Sequence, residues 1–180
     1  MVYKTYIFEN SPDKAKRHEM LTSALREHIG ADSAEIFYTP KGKPYTKGLA
    51  NDIYISVTTT GEVMVCVFAD SPVGIDGEYL PRFNDKKTDY LSIAERFFTD
   101  EEADYVREGD GDPQRFVKIW VRKEAFSKYT GKGLSDFSNF SVSDGDKLLN
   151  KVGGVPIKKF SPAFPGASDY LFVIAGDVEK

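Results

Sequence analysis

An α+β chain of two similar-sized halves, each of antiparallel strands packed with helices, is the fold class this sequence predicts, and three observations lead to it. Short, turn-bounded runs of apolar and β-branched residues occur both early and late in the chain. Near the N-terminus and through the middle the apolar spacing lengthens to three and four residues, the period of an amphipathic helix. The 180 residues, 41% hydrophobic and 29% charged, have the composition of an ordinary folded domain, which excludes disorder, collagen and coiled coil. No internal repeat and no low-complexity linker is visible, so residues 1–180 read as one domain with approximate halves 1–85 and 86–180.

Val2 to Phe8 reads as a first strand, closed by Asn10-Ser11-Pro12. From Asp13 to Ile29, the residues Leu21, Ala24, Leu25, His28 and Ile29 recur at helical spacing. Ser11 is the expected cap, Pro12 suits the first turn and Gly30 ends the helix. A short strand at Ala34 to Tyr38 leads into the turn Pro40-Lys41-Gly42-Lys43-Pro44. Ile53 to Thr58, Val63 to Phe68 and Val73 to Tyr79 follow as strands, and the short Thr60-Gly61 and Asp70-Ser71-Pro72 breaks predict antiparallel hairpins. Three helices come next. The first spans about Thr88 to Phe98, and the second opens with Thr99 as cap and Glu102 three residues on, a capping box. The third has Asp112 as cap and Pro113 at the first helical position, ends near Tyr129 and is stopped by Gly131. Phe137 to Ser143, Val155 to Phe160 and Tyr170 to Ala175 complete the chain as strands.

The balance of 24 basic against 28 acidic side chains, a net charge of -4, argues against a nucleic-acid partner. Locally the balance differs: Glu95 to Asp112 carries eight acids and two bases, whereas Pro113 to Gly133 carries six bases and one acid, Glu124. The lone Cys66 excludes an internal disulfide, and its setting Val65-Cys66-Val67-Phe68 reads as a buried strand thiol. No apolar stretch reaches a membrane span and MVYKTYIFENS has no signal-peptide pattern, so a cytoplasmic protein without a membrane partner is expected.

Chemistry concentrates in two places. In Gly74-Ile75-Asp76-Gly77-Glu78 the two-residue strand period sends Asp76 and Glu78 to the same side, where they repel unless a cation lies between them. A hard divalent ion with oxygen ligands, Mg2+ above all, meets that need and leaves coordination positions for phosphate oxygens. On the third helix, Phe116, Trp120, Glu124 and Lys128 fall four residues apart and share one stripe. Standing alone, Glu124 and Lys128 are a routine surface pair.

Taken together, Trp120-Val121-Arg122-Lys123-Glu124-Ala125, Lys128, Gly131-Lys132-Gly133-Leu134 and the upstream Gly74-Ile75-Asp76-Gly77-Glu78 resemble the paired signatures of the 4'-phosphopantetheinyl transferase superfamily, at the expected separation of about 45 residues. Gly42-Lys43-Pro44-Tyr45 and Ile55-Ser56 extend the likeness upstream, and Arg17 with Leu21 and Leu25-Arg26 faintly echoes the family's N-terminal helix, so that it covers roughly Arg17 to Leu134. The layout is closest to the monomeric, two-half surfactin-synthetase-activating group. The resemblance implies transfer of 4'-phosphopantetheine from coenzyme A to a serine of an acyl or peptidyl carrier protein, with release of adenosine 3',5'-bisphosphate. It implies Mg2+ held by Asp76, Glu78 and Glu124, with Glu124 as base and Lys128 stabilising phosphate charge. It further implies coenzyme A contacts from Arg17, Lys43, Ser56, Thr58, Lys123 and Lys128.

Three positions depart from the family pattern. Gly77 replaces a bulky apolar residue between the two acids, which predicts a bent strand and a looser metal site. Tyr54 stands for an asparagine, and Val57 for a histidine that in the family helps hold the ribose 3'-phosphate. Thr58, Thr59, Thr60 and Lys43 are the candidate replacements. His28 lies on the apolar helix face and reads as structural, whereas His18 near Arg17 reads as a minor candidate for a phosphate contact. Val57 keeps an alternative open: a degenerate, non-catalytic homologue that binds coenzyme A or a carrier protein.

Overall fold

A computed structural model of the chain describes residues 3–85 and 87–177. The first strand, β1, is described over Tyr3–Glu9, and its expected first residue, Val2, lies outside the described residues. Helix α1 (Lys14–Ile29) is capped by Asp13 rather than Ser11. Asp13 Oδ1 accepts the Ala15 N–H at 2.8 Å, while Ser11 Oγ accepts the Asp13 N–H at 3.2 Å and so shapes the entry instead. Gly30 closes the helix in the left-handed region, as its position after the last apolar residue predicts. A small hairpin follows, β2 (Phe37–Tyr38) with β3 (Pro44–Tyr45), in place of the longer strand expected from Ala34.

β4 (Tyr54–Thr60) and β5 (Val63–Ala69) form the expected hairpin, and β5 also pairs with β1, giving a sheet of order β1-β5-β4. With both edges of β5 taken, β6 (Gly74–Tyr79) has no place beside it. β6 pairs instead with the last strand, β9 (Tyr170–Ala175), which lies within a second sheet of order β6-β9-β8-β7, where β7 is Lys151–Val152 and β8 is Val155–Phe160. The expected β5–β6 hairpin is therefore absent.

Burial explains why β5 is apolar throughout. Its Val63, Val65, Val67 and Ala69 pack with Val73, Ile75, Phe172 and Ile174 between the two sheets. Cys66 and Phe68 point the other way, into a core covered by Leu21, Ala24 and Leu25 of α1. Burial pushes the Cys66 thiol up to about 12, so it is an inert core group.

The helices of the second half are α2 (Tyr90–Phe97), α3 (Asp100–Arg107) and α4 (Pro113–Thr130). α3 carries the capping box of Thr99 and Glu102, and α4 runs from its Asp112 cap to Gly131. The region expected as a strand at Phe137 to Ser143 instead begins as a 3-10 turn, Leu134–Asn139, and then makes one isolated bridge, Ser143 to Leu148. Two fully buried side chains capture its backbone. Lys123 Nζ donates to Phe140 O at 2.6 Å, and the Val142 N–H donates to Glu102 Oε1 at 2.6 Å. Lys123 and Glu102 pair at 2.6 Å with neither side chain exposed, amid Phe98, Phe137 and Phe140. Burial pulls the Lys123 pKa down, and Glu102 draws it back up. Among the described residues no helix is long and apolar enough to cross a membrane.

Removing one partner of a buried pair strands the other charge in the core. Lys123→Met is expected to lower the unfolding free energy by about 3–5 kcal/mol in a urea titration. A loss below about 1 kcal/mol would mean that the pair does not hold this region together.

Candidate active site

Two glycines set how β6 meets its neighbours. A Cβ on Gly74 would lie 2.0 Å from the Ala125 carbonyl oxygen and 2.5 Å from the Tyr129 nitrogen, so only glycine lets the strand lie directly against α4. At Gly77 the Phe172 ring fills the missing side chain's place, 2.1 Å from where a Cβ would sit. β6 pairs with β9 residue for residue through that point, so no bulge interrupts the strand at Gly77.

Contact with α4 brings Lys128 Nζ to 2.7 Å from Asp76 Oδ1. Arg82, in the 3-10 turn Leu80–Asn84 that follows β6, reaches Glu78 Oε1 at 3.0 Å. Thr58 Oγ1 donates to Asp76 Oδ1 at 3.1 Å, and Thr60 Oγ1 donates to Glu78 Oε2 at 3.3 Å. Asp76 Oδ2 is buried and has no hydrogen-bond partner.

Asp76 disfavours the charged form of both neighbouring glutamates. Burial and the neighbouring Asp76 push Glu78 up to about 7, against the pull of Arg82, Thr60 and Lys128. The half-buried Glu124 is raised for the same two reasons, and Lys128 opposes the shift. Asp76, Glu78, Arg82, Trp120, Glu124 and Lys128 line one cleft of about 290 Å³. Among the described residues no three His, Cys, Asp or Glu side chains are already gathered closely enough to hold a metal ion. The donor chemistry nonetheless fits a hard cation: three carboxylates share a cleft, two with raised pKa, and one buried carboxylate oxygen is unpartnered.

Two further cavities adjoin. One, of about 320 Å³, lies among Lys41, Lys43, Ser56, Glu124, Lys128 and Leu134. The other, of about 490 Å³, is lined by Lys14, Arg17, His18, Tyr38 and Thr59. Val57 borders all three spaces. Lys43, its pKa lowered by burial, donates to the Lys128 carbonyl at 2.9 Å and so ties the β2–β3 turn to the end of α4.

Lys123 does not join these residues. It is fully buried in its pair with Glu102 and cannot meet a phosphate, a correction to the expected contact set. Ser56 borders a cavity but its hydroxyl accepts the Ile75 N–H at 2.9 Å, and Thr58 is committed to Asp76 and to the Gly77 N–H at 3.2 Å. Arg17 reaches its cavity while also donating to the Ser11 carbonyl, and His18 is hydrogen-bonded to the Tyr38 hydroxyl at 3.1 Å. His28 stacks on Phe68, with ring centroids 5.3 Å apart, in the structural role its helix face implies. Sequence reasoning missed Arg82 and Thr60 as partners of the acids. The only signals were the four-residue step from Glu78 to Arg82 and the two-residue step from Thr58 to Thr60.

Residues 72–167, more than half of the chain and including both motifs, match the 4'-phosphopantetheinyl transferase superfamily. A 4'-phosphopantetheinyl transferase of Bacillus subtilis is 33% identical over 128 residues, 68% of this chain and 54% of that protein. The 4'-phosphopantetheinyl transferase psf-1 of Bacillus pumilus is 36% identical over 114 residues, covering 60% and 46%. HetI of Nostoc, another 4'-phosphopantetheinyl transferase, is 27% identical over 131 residues, covering 69% and 54%. The chain belongs to the 4'-phosphopantetheinyl transferase superfamily. It spans about half the length of the curated relatives it matches.

The raised Glu78 carboxyl makes stability depend on pH. Between its ordinary value of 4.5 and about 7 the folded chain holds a proton that the unfolded chain has released, so stability falls as pH rises through that window. The melting temperature of the metal-free protein should fall from about pH 5 to about pH 7, and Glu78→Gln should fall less. Parallel curves for the two proteins would contradict this assignment.

Proposed function

We propose that this chain is an enzyme that transfers the 4'-phosphopantetheine group of coenzyme A to a serine of an apo carrier protein, releasing adenosine 3',5'-bisphosphate, with Mg2+ as its cofactor. The observation that carries this reading is the meeting on one cleft of Asp76 and Glu78 from β6 with Glu124 and Lys128 from α4. Asp76, Glu78 and Glu124 would hold Mg2+, which when bound supplies charge neutralisation on the pyrophosphate oxygens.

The chain's own residues orient the substrates and move the proton. The serine oxygen bonds to the phosphorus that carries pantetheine, and the bond from that phosphorus to the bridging oxygen of adenosine 3',5'-bisphosphate breaks. The serine proton passes to the Glu124 carboxylate, which lines the same cleft as Lys128. Lys128, 30% exposed at the cleft, stabilises charge on the phosphates during transfer. Lys43 and Arg17, on the two adjoining cavities, offer cations to the remaining phosphates of coenzyme A. Arg115, Lys118, Arg122 and Lys132 make the α4 region basic, which suits an acidic carrier protein.

Val57 favours a second reading, in which the chain binds coenzyme A or a carrier protein without transfer, because the family's histidine at this position helps hold the 3'-phosphate. Incubation with coenzyme A, Mg2+ and a panel of apo acyl and peptidyl carrier proteins, scored by mass, separates the two. A phosphopantetheine adduct supports the enzyme; binding of coenzyme A or of a carrier without any adduct supports the second reading; no adduct and no binding of either overturns both.

Two sets of variants follow from the assignments. Glu124→Gln and Asp76→Ala should each abolish transfer while the circular dichroism spectrum stays native, and near-normal transfer by either would remove that residue from the mechanism. Val57→His should restore a charge-assisted hydrogen bond of about 1.5–3 kcal/mol. Coenzyme A would then bind roughly tenfold to a hundredfold more tightly, with little change for its 3'-dephospho form. Equal effects on the two ligands would show that Val57 does not face the 3'-phosphate.

A further inference from the structure

The hydroxyls of Thr58 and Thr60 each make two bonds, and their chemistry fixes the direction of both. Thr58 Oγ1 accepts the Gly77 N–H at 3.2 Å, and Thr60 Oγ1 accepts the Tyr79 N–H at 2.8 Å. An N–H can only donate, so each hydroxyl is left with its single proton for the carboxylate beside it, Asp76 at 3.1 Å or Glu78 at 3.3 Å. Both threonines are buried, at 4% and 3% exposure, so water does not compete for these bonds. At Asp76 the Thr58 hydroxyl and the Lys128 ammonium both occupy Oδ1, which leaves Oδ2 as the free oxygen.

Ser56 supplies an internal comparison one step back along β4. Its hydroxyl accepts the Ile75 N–H at 2.9 Å in the same manner, but the residue preceding Ile75 is Gly74, which has no carboxylate to receive a proton. The three hydroxyls thus share a backbone bond, and only two also hold an acid.

We propose that Thr58 and Thr60 are positioning residues of the metal centre, whose hydroxyls lock the Asp76 and Glu78 carboxylates against the backbone of their own strand and leave the free Asp76 oxygen for the cation. This inference rests on the cation reading of the cleft given above. Hydrogen bonds to metal-ligating carboxylates set ligand orientation, and removing them costs about 10–100-fold in metal affinity.

The test is titration of the metal-free protein with Mn2+ in the absence of coenzyme A, read by calorimetry, with a melting curve for every variant. Mn2+ serves as the probe because it shares the preference of Mg2+ for oxygen ligands. Thr58→Val should weaken Mn2+ binding about 10–100-fold, Thr60→Val should weaken it in the same direction, and Thr58→Ser should return it to within about threefold of the parent. Ser56→Ala should lower the melting temperature by a similar amount through its lost backbone bond, yet leave Mn2+ affinity within about twofold. If Thr58→Val does not fold, Thr60→Val carries the same comparison against Ser56→Ala. Unchanged affinity in the folded valine variants, or an equal loss in Ser56→Ala, would overturn the inference and reduce all three hydroxyls to structural pins. Failure of the parent protein to bind Mn2+ more tightly than Asp76→Ala would instead overturn the cation reading itself.

Discussion

β4 is an outer strand of one sheet and β6 an outer strand of the other, and the hydroxyls of Ser56, Thr58 and Thr60 join them. The Ile75, Gly77 and Tyr79 N–H groups have no strand on that side to pair with, and a buried unpaired donor costs about 1–3 kcal/mol. Side-chain oxygens at every second residue of β4 meet them. The same alternation sends Val57 and Thr59 to the opposite face, where they border the cavity next to α1. One strand therefore closes the seam between the sheets with one face and shapes a candidate ligand cavity with the other.

The position of β6 determines the electrostatics. Gly74 lets the strand lie against α4, which carries Lys128 to Asp76 and leaves Glu124 on the same cleft. Two cations, Lys128 and Arg82, stand beside Asp76 and Glu78, yet Glu78 and Glu124 are still raised from their ordinary value and one Asp76 oxygen remains without a partner. Packing alone gives no reason to assemble these groups, since apolar residues of the same size would avoid the desolvation cost. Clefts that combine desolvation with like charges are characteristic of catalytic sites.

Features governed by local chemistry were legible in the sequence. Asp112-Pro113 and Gly131 bound α4 because a cap, a preset φ and a left-handed glycine act within one turn. Thr99 and Glu102 did the same for α3, and the Trp120 to Lys128 stripe followed from the helical period alone. Features that depend on distant partners were not. The exclusion of β6 from the first sheet turns on β1 already occupying the edge of β5, and Lys123 looks like a phosphate ligand until Glu102, 21 residues earlier in the chain, is seen to bury it. Gly77 read as a weakness because the ring that fills its place comes from Phe172, near the other end of the chain. The roles of Thr58 and Thr60 were hidden for the same reason, since their partners lie one strand beyond the hairpin partner.

Anomalous diffraction from a crystal grown with Mn2+ and coenzyme A tests the central claim, that residues of β6 and α4 jointly serve one cation, most directly. The account predicts a single strong peak within coordination distance, about 2.1 Å for such an ion, of carboxylate oxygens from both Asp76 and Glu124, with the pyrophosphate of coenzyme A against it. Coenzyme A bound with its pyrophosphate elsewhere, or a peak that does not touch both Asp76 and Glu124, would contradict it.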